Sequence, residues 1–448
     1  MENFLFRKVE LWLVLFLAIL LIVSALLFGW AVQYRAAGGD LGGRIIDVMS
    51  DVAAAPTPLI RMLHDTVTTL QPQRQSFRGK KEYHRHDKNF SDDGYILISS
   101  WNDNASQVGI YLFDLKLQKR IYEWLPPIDD ILDRTSYRGS YNDTRDYRAL
   151  HPYLMSDGSL LFSSQEGPLA RIDACSKLKW TIDRHFHHTI ERGPDGNFYV
   201  PVVLAKPDQF MNNRYGEVRS VTKRKNTLAP IRDDGFAIIS PDGVILREWS
   251  VADILENAGY WTLLYGIGEY EIDRIHLNDA APILSTDAFA QKGDVLLSAR
   301  NISTVFLFRP SSEEIVWLKT GPWLNQHDPD YLGGGIFSIF GNDFSREVGF
   351  PFDGSAIYRF QPDTGQVERW LDLGKYDISN NAQGIHQTLK NGDIFVEAGS
   401  MKLHRISQNG MRWTYWNKLD ESFAGVLNWS RYFSRDELNL NWIAQGEC

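Results

Sequence analysis

Six copies of one pattern recur along this chain, and the repeat constrains the fold more than any other sequence feature. Each copy opens with an Asp-Gly type of turn and an apolar strand, and it closes with further strand-like runs that end in Trp. The openings lie at 92–100, 156–164, 194–202, 292–300, 333–343 and 391–400, and the closings lie at 110–124, 169–180, 236–249, 305–317, 357–370 and 403–413.

A repeat with about four strands per copy is typical of a β-propeller blade. One blade leaves both faces of its sheet exposed, whereas a closed ring of blades buries them. We therefore expect the closing Trp of each copy to pack between neighbouring sheets. A β-sandwich does not account for six copies in phase. The sequence predicts an all-β, six-bladed β-propeller over residues 81–448.

An uncharged apolar run precedes the repeats. Residues 11–32 carry no charge, and at about 1.5 Å per residue they span about 33 Å as a helix, enough to cross a bilayer core. We expect a transmembrane helix over 11–32, after an N-terminal tail over 1–10. A cleaved signal peptide is the alternative, because Ala36-Ala37-Gly38 resembles a cleavage site.

The segment between the span and the repeats, residues 33–80, reads as a juxtamembrane helical linker. Apolar residues recur at helical spacing over 41–51 and 59–70, and prolines at 56 and 58 interrupt them. A linker with isolated helical turns is the alternative. Basic residues flank the span on both sides, so they do not decide its orientation. The short N-terminal tail before the span favours a single-pass inner-membrane protein whose propeller lies on the periplasmic, extracytoplasmic side.

Composition excludes two classes of protein. The chain has 47 Lys and Arg against 56 Asp and Glu, a net charge of −9, so nothing compensates the phosphates of a nucleic acid and we expect no such partner. Its two cysteines, Cys175 and Cys448, are too few for a disulfide framework or a Cys-based zinc site. They leave the redox compartment open. No GxxxxGK[ST] loop offers a nucleotide-phosphate cradle.

Histidines mark one position of the repeat. The chain has 11 His, and six of them lie shortly before the turns that open the copies. In a propeller the strand before that turn borders the central channel, so we expect these imidazoles to form a ring at its mouth. The six are His86, His151, His188, His276, His327 and His386.

Three interpretations of this ring stay open from the residues alone. Some members, His86 and His151 first, have purely structural roles in one interpretation. In a second they bind a metal, although tight ligand spacing is absent. In the third they perform acid–base or nucleophilic chemistry on an anion, which Arg300 at the end of the strand VLLSAR favours by adding a fixed positive charge.

At these residues the sequence resembles the bacterial arylsulfate sulfotransferase (ASST) family, over about residues 90–417. The motifs that carry the resemblance appear in the family's order, each in a strand context. They are His187-His188 before DGNFYV, His276-Leu277-Asn278, Ser298-Ala299-Arg300, and Gln326-His327 with the following FSIFGND.

The resemblance implies a six-bladed propeller with its active site in the channel. It implies transfer of a sulfuryl group from a phenolic sulfate ester to a phenol or other hydroxyl acceptor, without phosphoadenosine phosphosulfate, a cofactor or a metal. The nucleophile would be His327, which becomes sulfated. His276, Arg300 and His188 would bind the sulfuryl oxygens and protonate the departing phenoxide, and the implied substrate-binding residues are His187, Asn278, Gln326 and His386.

The chemistry suits these residue types. A sulfuryl group in transfer carries negative charge on its oxygens, so positioning and cationic donors supply most of the catalysis. Unprotonated imidazole is a nucleophile near neutral pH, and a second imidazole serves one phenol as acid and the next as base. Two departures from the family are Thr189, where Asp usually follows the His pair, and an insertion that places Arg300 24 residues after His276.

Two further functions remain alternatives. In the first, the chain is a non-catalytic propeller that serves as a scaffold or binding module of a membrane-associated complex. A metal- or quinone-dependent enzyme is the third possibility. Retention of His276, Arg300 and His327 together favours the transferase, since a scaffold has no need of that triple. The oligomeric state does not follow from the sequence.

Overall fold

We describe the fold from a computed structural model, in which the chain divides into two units. The first comprises Met1–Pro72 and the second Gln73–Cys448. The residues that the structure describes are 10–36, 74–76, 81–136, 144–204, 218–219, 231–266, 273–345, 349–352, 354–397 and 401–444.

The first unit contains one described element, helix α1 (Leu11–Ala36). Its portion from Leu11 to Gly29 is long and apolar enough to cross a membrane. A membrane anchor and an N-terminal signal sequence share these properties, so the helix alone does not distinguish them. The helices predicted over 41–51 and 59–70 lie outside the described residues.

The second unit is built mostly of antiparallel strands, and the first and last repeat copies share strands with the opposite ends of the chain. In the sheet of the first copy the order is β29-β3-β4-β5, so a C-terminal strand borders the first copy. In the sheet of the sixth copy the order is β2-β27-β26-β25-β24, so an N-terminal strand forms its far edge. The strands are β2 (Tyr83–Arg85), β3 (Tyr95–Asn102), β4 (Gln107–Asp114), β5 (Lys119–Trp124), β24 (Ile385–Thr388), β25 (Ile394–Glu397), β26 (Lys402–Ser407), β27 (Gly410–Trp416) and β29 (Arg431–Phe433).

The fourth and fifth copies each form a four-stranded sheet whose strands follow one another in the chain. In both, the opening of the copy supplies the second strand and the closing supplies the third and fourth. The strands are β16 (Leu277–Pro282), β17 (Val295–Ala299), β18 (Thr304–Arg309) and β19 (Glu314–Thr320), then β20 (His327–Gly333), β21 (Ile336–Gly341), β22 (Ala356–Gln361) and β23 (Gln366–Asp372).

The second and third copies lie in one eight-stranded sheet. Strands β9 and β11 join them, because His185 and Phe186 pair with Val203 and Val202. The strands are β6 (Leu150–Leu154), β7 (Leu160–Ser163), β8 (Gly167–Ile172), β9 (Leu178–Phe186), β10 (Glu191–Arg192), β11 (Phe198–Val203), β14 (Asp234–Ile239) and β15 (Ile245–Ser250).

Smaller elements complete the described part of the second unit. Two pairs of short strands form two-stranded sheets, β1 with β28 and β12 with β13. They are β1 (Arg74–Ser76), β12 (Val218–Arg219), β13 (Ile231–Arg232) and β28 (Phe423–Gly425). The helices are α2 (Ile128–Asp133), α3 (Val251–Asn257), α4 (Trp261–Tyr265) and α5 (Asn441–Ala444), with 3₁₀ turns at Arg300–Ile302 and Leu373–Tyr376.

Hydrophobic clusters between the sheets form the core. The described residues contain six such clusters, each built from two successive repeat copies, and the last joins the sixth copy to the first. Each cluster includes one closing Trp of the repeat. They are Trp124, Trp180, Trp249, Trp317, Trp370 and Trp413. These side chains therefore pack between successive copies, and for Trp180 the two copies belong to one continuous sheet.

The architecture is mostly β and propeller-like, as predicted. The predicted number of six separate blades is not confirmed by the strand pairing. Four sheets have the four or five strands of a blade, and the second and third copies share one continuous sheet. The physical reason is the backbone pairing of β9 with β11, which leaves no break between these two copies.

Candidate active site

The first strands of the sheets meet where the predicted histidines lie. Strand β20 contacts β16 on one side and β24 on the other, and β10 contacts β16. Residues beside or within the starts of these strands have left-handed backbone angles, which are uncommon for residues other than Gly and concentrate at functional sites. They are His151 (φ 44°), His188 (58°), His276 (49°), Asp328 (49°) and Trp429 (63°).

His188 is the centre of a cluster of imidazoles. Its ring centroid lies 5.1 Å from that of His187, 5.1 Å from that of His276 and 6.2 Å from that of His327. Trp429 lies 6.2 Å away on another side and stacks on His151 at 4.7 Å. Burial and the neighbouring imidazoles hold the pKa of His188 well below its ordinary value, so the ring is neutral at neutral pH.

His327 presents one nitrogen with a free lone pair. Its Nδ1 lies 2.6 Å from Oδ1 of Asn342, and Nδ2 of Asn342 donates to the carbonyls of Asn380 and Gln383. Those two bonds make Oδ1 the acceptor, so Nδ1 of His327 carries the proton and Nε2 the lone pair. Nε2 is buried and has no hydrogen-bond partner among the described residues.

The His327 ring is held neutral. Burial, followed by the positive charge of Arg300, lowers its pKa to about 3. At neutral pH the Nε2 lone pair is therefore available for attack on an electrophile.

Arg300 lies in the 3₁₀ turn that follows β17. Its backbone N–H donates to the carbonyl of His276 at 3.1 Å, which ties the two residues together. The guanidinium donates to Oδ1 of Asn301 at 2.8 Å and to the carbonyl of Asn381 at 3.3 Å. Its charge acts on His327, so the structure brings His188, His276, His327 and Arg300 to one place.

An acidic residue orients His276. Oδ2 of Asp273 lies 2.6 Å from Nδ1 of His276, and a carboxylate only accepts, so Nδ1 donates and Nε2 faces away from Asp273. The charges of His276 and Arg232 lower the pKa of Asp273 in spite of its burial. Asp273 therefore fixes the orientation of the His276 ring.

His187 connects the cluster to a buried ion pair. Its Nδ1 lies 2.9 Å from Nδ1 of His188, and its Nε2 lies 3.6 Å from Oδ1 of Asp234. Asp234 is in turn 2.8 Å from Nε of Arg232 and accepts the backbone N–H of Leu277 at 3.2 Å. His187 therefore lies behind His188, between it and the carboxylate.

Two of the predicted substrate-binding residues are engaged in the interior. Nδ2 of Asn278 donates to the carbonyl of Gln326 at 2.7 Å. Nε2 of Gln326 donates to Oγ of Ser298 at 3.0 Å and to the carbonyl of Thr304 at 3.1 Å. The Gln326 side chain thus ties the segment before β20 to strands β17 and β18, and it positions His327.

His386 pairs with a carboxylate of the neighbouring sheet. Its backbone N–H and its Nδ1 both donate to Oδ2 of Asp328, at 2.5 and 3.0 Å, and its Nε2 lies 2.8 Å from Oγ of Ser338. Burial opposes protonation of this ring, but Asp328 and Asp330 raise its pKa above the ordinary value. Asp328 therefore orients His386 and not its chain neighbour His327.

Among the described residues, one group has donor atoms spaced for a metal ion. Asp328, Asp330 and His386 place one donor atom each within 4.8 Å of one another. Burial and the charge of Asp328 raise the pKa of Asp330 to about 8, and Asp328 already accepts from His386. The contacts fit a hydrogen-bonded histidine–carboxylate pair, so this group fits a metal poorly.

The structure corrects the position of His86. His86 follows β2, the strand at the edge of the sixth sheet opposite β24, and its Nε2 lies 3.0 Å from Oγ1 of Thr414. It lines a cavity of about 770 Å³ with His84 and His404. The prediction that it joins the ring is wrong, because the C-terminal strand β29 borders β3 and brings Trp429 to the cluster instead.

Sequence reasoning missed several residues of the site. Asn342 lies in the quoted FGND motif, and the hydrogen-bond need of a buried His327 was the signal that could have singled it out. Asp273 precedes His276 by three residues, a spacing that suggests a local partner. Asp234, Arg232 and Trp429 come from distant segments, and nothing in the local pattern points to them.

Comparisons with solved structures give distant fold likenesses. A protein of unknown function from Bacteroides caccae is 13% identical, with 75% of this chain and 99% of that chain covered and a TM-score of 0.43. A virginiamycin B lyase from Staphylococcus aureus is 12% identical, with 80% and 98% covered and a TM-score of 0.40. At these scores the likenesses carry no argument about function.

The family comparison is more informative. No curated protein matches the chain. The arylsulfotransferase (ASST) family matches residues 151–418, more than half of the 448 residues. That range contains His187, His188, His276, Arg300 and His327, the residues that the geometry brings together. The chain belongs to the arylsulfotransferase (ASST) family.

Proposed function

We propose that this protein is an arylsulfotransferase that transfers a sulfuryl group from a phenolic sulfate ester to a phenol or other hydroxyl acceptor through a sulfated His327. The observation that carries the proposal is the buried Nε2 of His327, whose lone pair is unprotonated because Nδ1 donates to Asn342. Membership of the family supports the reaction class.

The reaction has two balanced steps. In the first, Nε2 of His327 attacks the sulfur of the donor, an N–S bond forms, and the bond from sulfur to the phenolic oxygen breaks, so a phenoxide leaves and takes up a proton. In the second, the oxygen of the acceptor loses its proton and attacks the same sulfur. The N–S bond then breaks, and its electron pair returns to Nε2.

Two groups face the charge that develops on the sulfuryl oxygens. Arg300 contributes a permanent charge next to His327, and its planar guanidinium suits a group with several oxygens. His276 is the second, because Asp273 holds its Nδ1 and leaves Nε2 on the side of the cluster. His188, neutral and central, exchanges protons with the phenolic oxygens.

Donor cleavage tests this proposal directly. Purified full-length protein is incubated with 4-nitrophenyl sulfate and a phenol, and the release of nitrophenolate is followed together with the mass of peptides containing His327. We expect an acid-labile sulfate adduct on His327 and at least a 100-fold loss of release in His327→Ala, on the order of a lost nucleophile's contribution. His86→Gln is the matched control, since His86 lies outside the cluster.

Two outcomes contradict the proposal. If His327→Ala releases nitrophenolate as fast as the wild type, another residue is the nucleophile. If the wild type cleaves no aryl sulfate and forms no adduct, while folded by its thermal melt, the scaffold or binding function replaces the enzymatic one.

We further propose that the protein is anchored by α1 in the inner membrane as a single-pass protein, with the propeller on the periplasmic side. Cys175 is disulfide-bonded, and structural disulfides persist in oxidising compartments. Intact-mass analysis of the membrane fraction tests retention of residues 11–32. Alkylation of denatured protein should modify Cys175 only after reduction; modification without reduction contradicts the periplasmic assignment.

We also propose that the eight-stranded sheet counts as two blades, which makes six in all. The six hydrophobic clusters each lie between two successive copies, and the sixth copy packs against the first. A closed ring of six blades has six such interfaces, because each blade has one neighbour on either side, and the six clusters support this count. An experimental structure that shows four or five blade positions around the axis contradicts this count.

A further inference from the structure

A pair of adjacent histidines connects the centre of the cluster to a buried carboxylate. The Nδ1 atoms of His187 and His188 are 2.9 Å apart, so one proton lies between them. His187 is almost completely buried, at 1% exposure, and Asp234 is at 0%. Its other nitrogen, Nε2, faces Oδ1 of Asp234 at 3.6 Å.

The position of each proton follows from the acceptors. Burial raises the pKa of Asp234, but the Arg232 guanidinium at 2.8 Å and His187 outweigh burial and hold it below its ordinary value, so the carboxylate is ionised. At 3.6 Å the two atoms form no hydrogen bond, but the carboxylate is the charged group that Nε2 of His187 faces, and it favours a proton on that nitrogen. Nδ1 of His187 then accepts from Nδ1–H of His188, and Nε2 of His188 carries a lone pair on the side away from His187.

Resting on the proposed function, we propose that His188, His187 and Asp234 form a proton relay that stores the proton of the acceptor phenol from the second step of one turnover until the first step of the next. When Nε2 of His188 takes the proton of the acceptor phenol, the proton on Nδ1 of His188 moves to Nδ1 of His187. His187 becomes the imidazolium, beside Asp234, and His188 stays neutral with Nε2–H. In the first step of the next turnover the reverse movement delivers this proton to the departing phenoxide, and for the first turnover the relay takes its proton from solvent.

The surroundings place the stored charge on His187 and not on His188. The groups that face His188 are other imidazoles, and together with burial they oppose a positive charge on it. Burial and the charge of Arg232 lower the pKa of His187, whereas Asp234 and Glu166 raise it, so carboxylates oppose the effect of burial at His187. In this arrangement Asp234 and His187 are positioning residues, and His188 alone touches the phenolic oxygen.

A comparison of two donors tests the relay. Phenyl sulfate releases a phenoxide whose conjugate acid has a pKa of about 10, which needs a proton on departure, whereas 4-nitrophenyl sulfate releases a weak base that needs little help. In His187→Asn, the side-chain amide can accept a hydrogen bond from Nδ1 of His188, but it cannot take up a proton. We expect the rate with phenyl sulfate to fall at least about 10-fold more than the rate with 4-nitrophenyl sulfate, within the range of general acid catalysis.

In Asp234→Asn the rate with phenyl sulfate should likewise fall more than the rate with 4-nitrophenyl sulfate. His404 is a buried histidine outside the cluster, and His404→Gln should change neither rate. An equal loss with both donors means that His187 only packs against His188 and overturns the relay. So does the absence of any loss.

A second readout separates failure of the relay from failure of the proposed function. Nitrogen-15 NMR of histidine-labelled full-length protein reports which ring nitrogens are protonated without turnover. We expect a proton on Nδ1 of His188 in the wild type and its redistribution in Asp234→Asn. A proton on Nε2 of His188 at neutral pH overturns the relay even in an active enzyme, whereas an inert wild type that lacks the His327 adduct overturns the proposed function.

Discussion

Nδ1 of His327 donates a 2.6 Å hydrogen bond to Oδ1 of Asn342. His327 is the first residue of β20, and Asn342 directly follows β21, the antiparallel neighbour of β20. Asn342 uses its amide nitrogen for two backbone carbonyls, so its oxygen faces His327 in a single orientation. This neutral acceptor fixes the tautomer of His327 without adding a charge that favours imidazolium.

The first prediction replaces this neutral acceptor by a charged one. In Asn342→Asp, a carboxylate beside His327 raises the pKa of the ring by about 1–3 units. The wild-type ring, with its pKa lowered to about 3, stays neutral down to about pH 4, whereas the variant ring becomes protonated as the pH falls below a value between about 4 and 6. We expect the rate of donor cleavage by the variant to decline below that pH. A pH–rate profile parallel to that of the wild type contradicts this role of Asn342.

The second prediction concerns Arg300. In Arg300→Gln the positive charge next to His327 is lost, so the sulfuryl oxygens lose an electrostatic partner in the transition state. We expect donor cleavage to slow by about 10²–10³-fold. Because the charge of Arg300 also lowers the pKa of His327, that pKa should rise in the variant. Arg309→Gln is the control, since Arg309 pairs with Asp294, just before β17; an equal loss there points to a structural effect.

The third prediction concerns stability and pH at a histidine outside the cluster. Burial, followed by the charges of Lys402 and His86, lowers the pKa of His404 to about 3. As the pH falls from about 7 toward 4, the unfolded chain takes up a proton that the folded protein excludes, so stability is lost as the pH falls. This residue alone contributes a loss of about 2 kcal/mol between pH 7 and 5.

Urea unfolding of the wild type and His404→Gln at the two pH values measures that contribution. The variant should lose less stability on acidification than the wild type, because glutamine does not titrate. An identical loss in both proteins shows that His404 does not contribute to acid sensitivity.

The fourth prediction concerns the closing Trp of the repeat. Trp124 has no exposed surface and donates from Nε1 to the carbonyl of Gly158, in the second copy. Trp124→Ala removes this contact between copies and leaves a cavity, at a cost of about 3–5 kcal/mol in the free energy of unfolding. Trp261, half exposed, is the matched control, and we expect Trp261→Ala to cost less than about 1 kcal/mol. Similar losses in both variants contradict the structural role of the repeat.

Part of the site followed from the sequence because the repeat places equivalent residues at equivalent positions. His188, His276 and His327 lie shortly before successive turns, and the structure brings them together. The same rule failed for His86, because the two ends of the chain exchange strands. β29 borders the first copy and β2 the sixth, and long-range pairing of this kind leaves no periodic trace in a local pattern.

The amino-acid sequence alone determined the repeat, the mostly β architecture, the apolar N-terminal segment and the family. Burial and strand propensity produce local patterns of apolar, polar and turn residues, and these patterns can be recognised in the sequence. Only the tertiary structure decided which nitrogen of each imidazole carries a proton. That choice depends on acceptors such as Asn342 and Asp234, and Asp234 lies 47 residues from the His187 it faces. A hydrogen bond is set by distance and direction in space, and chain order does not specify either.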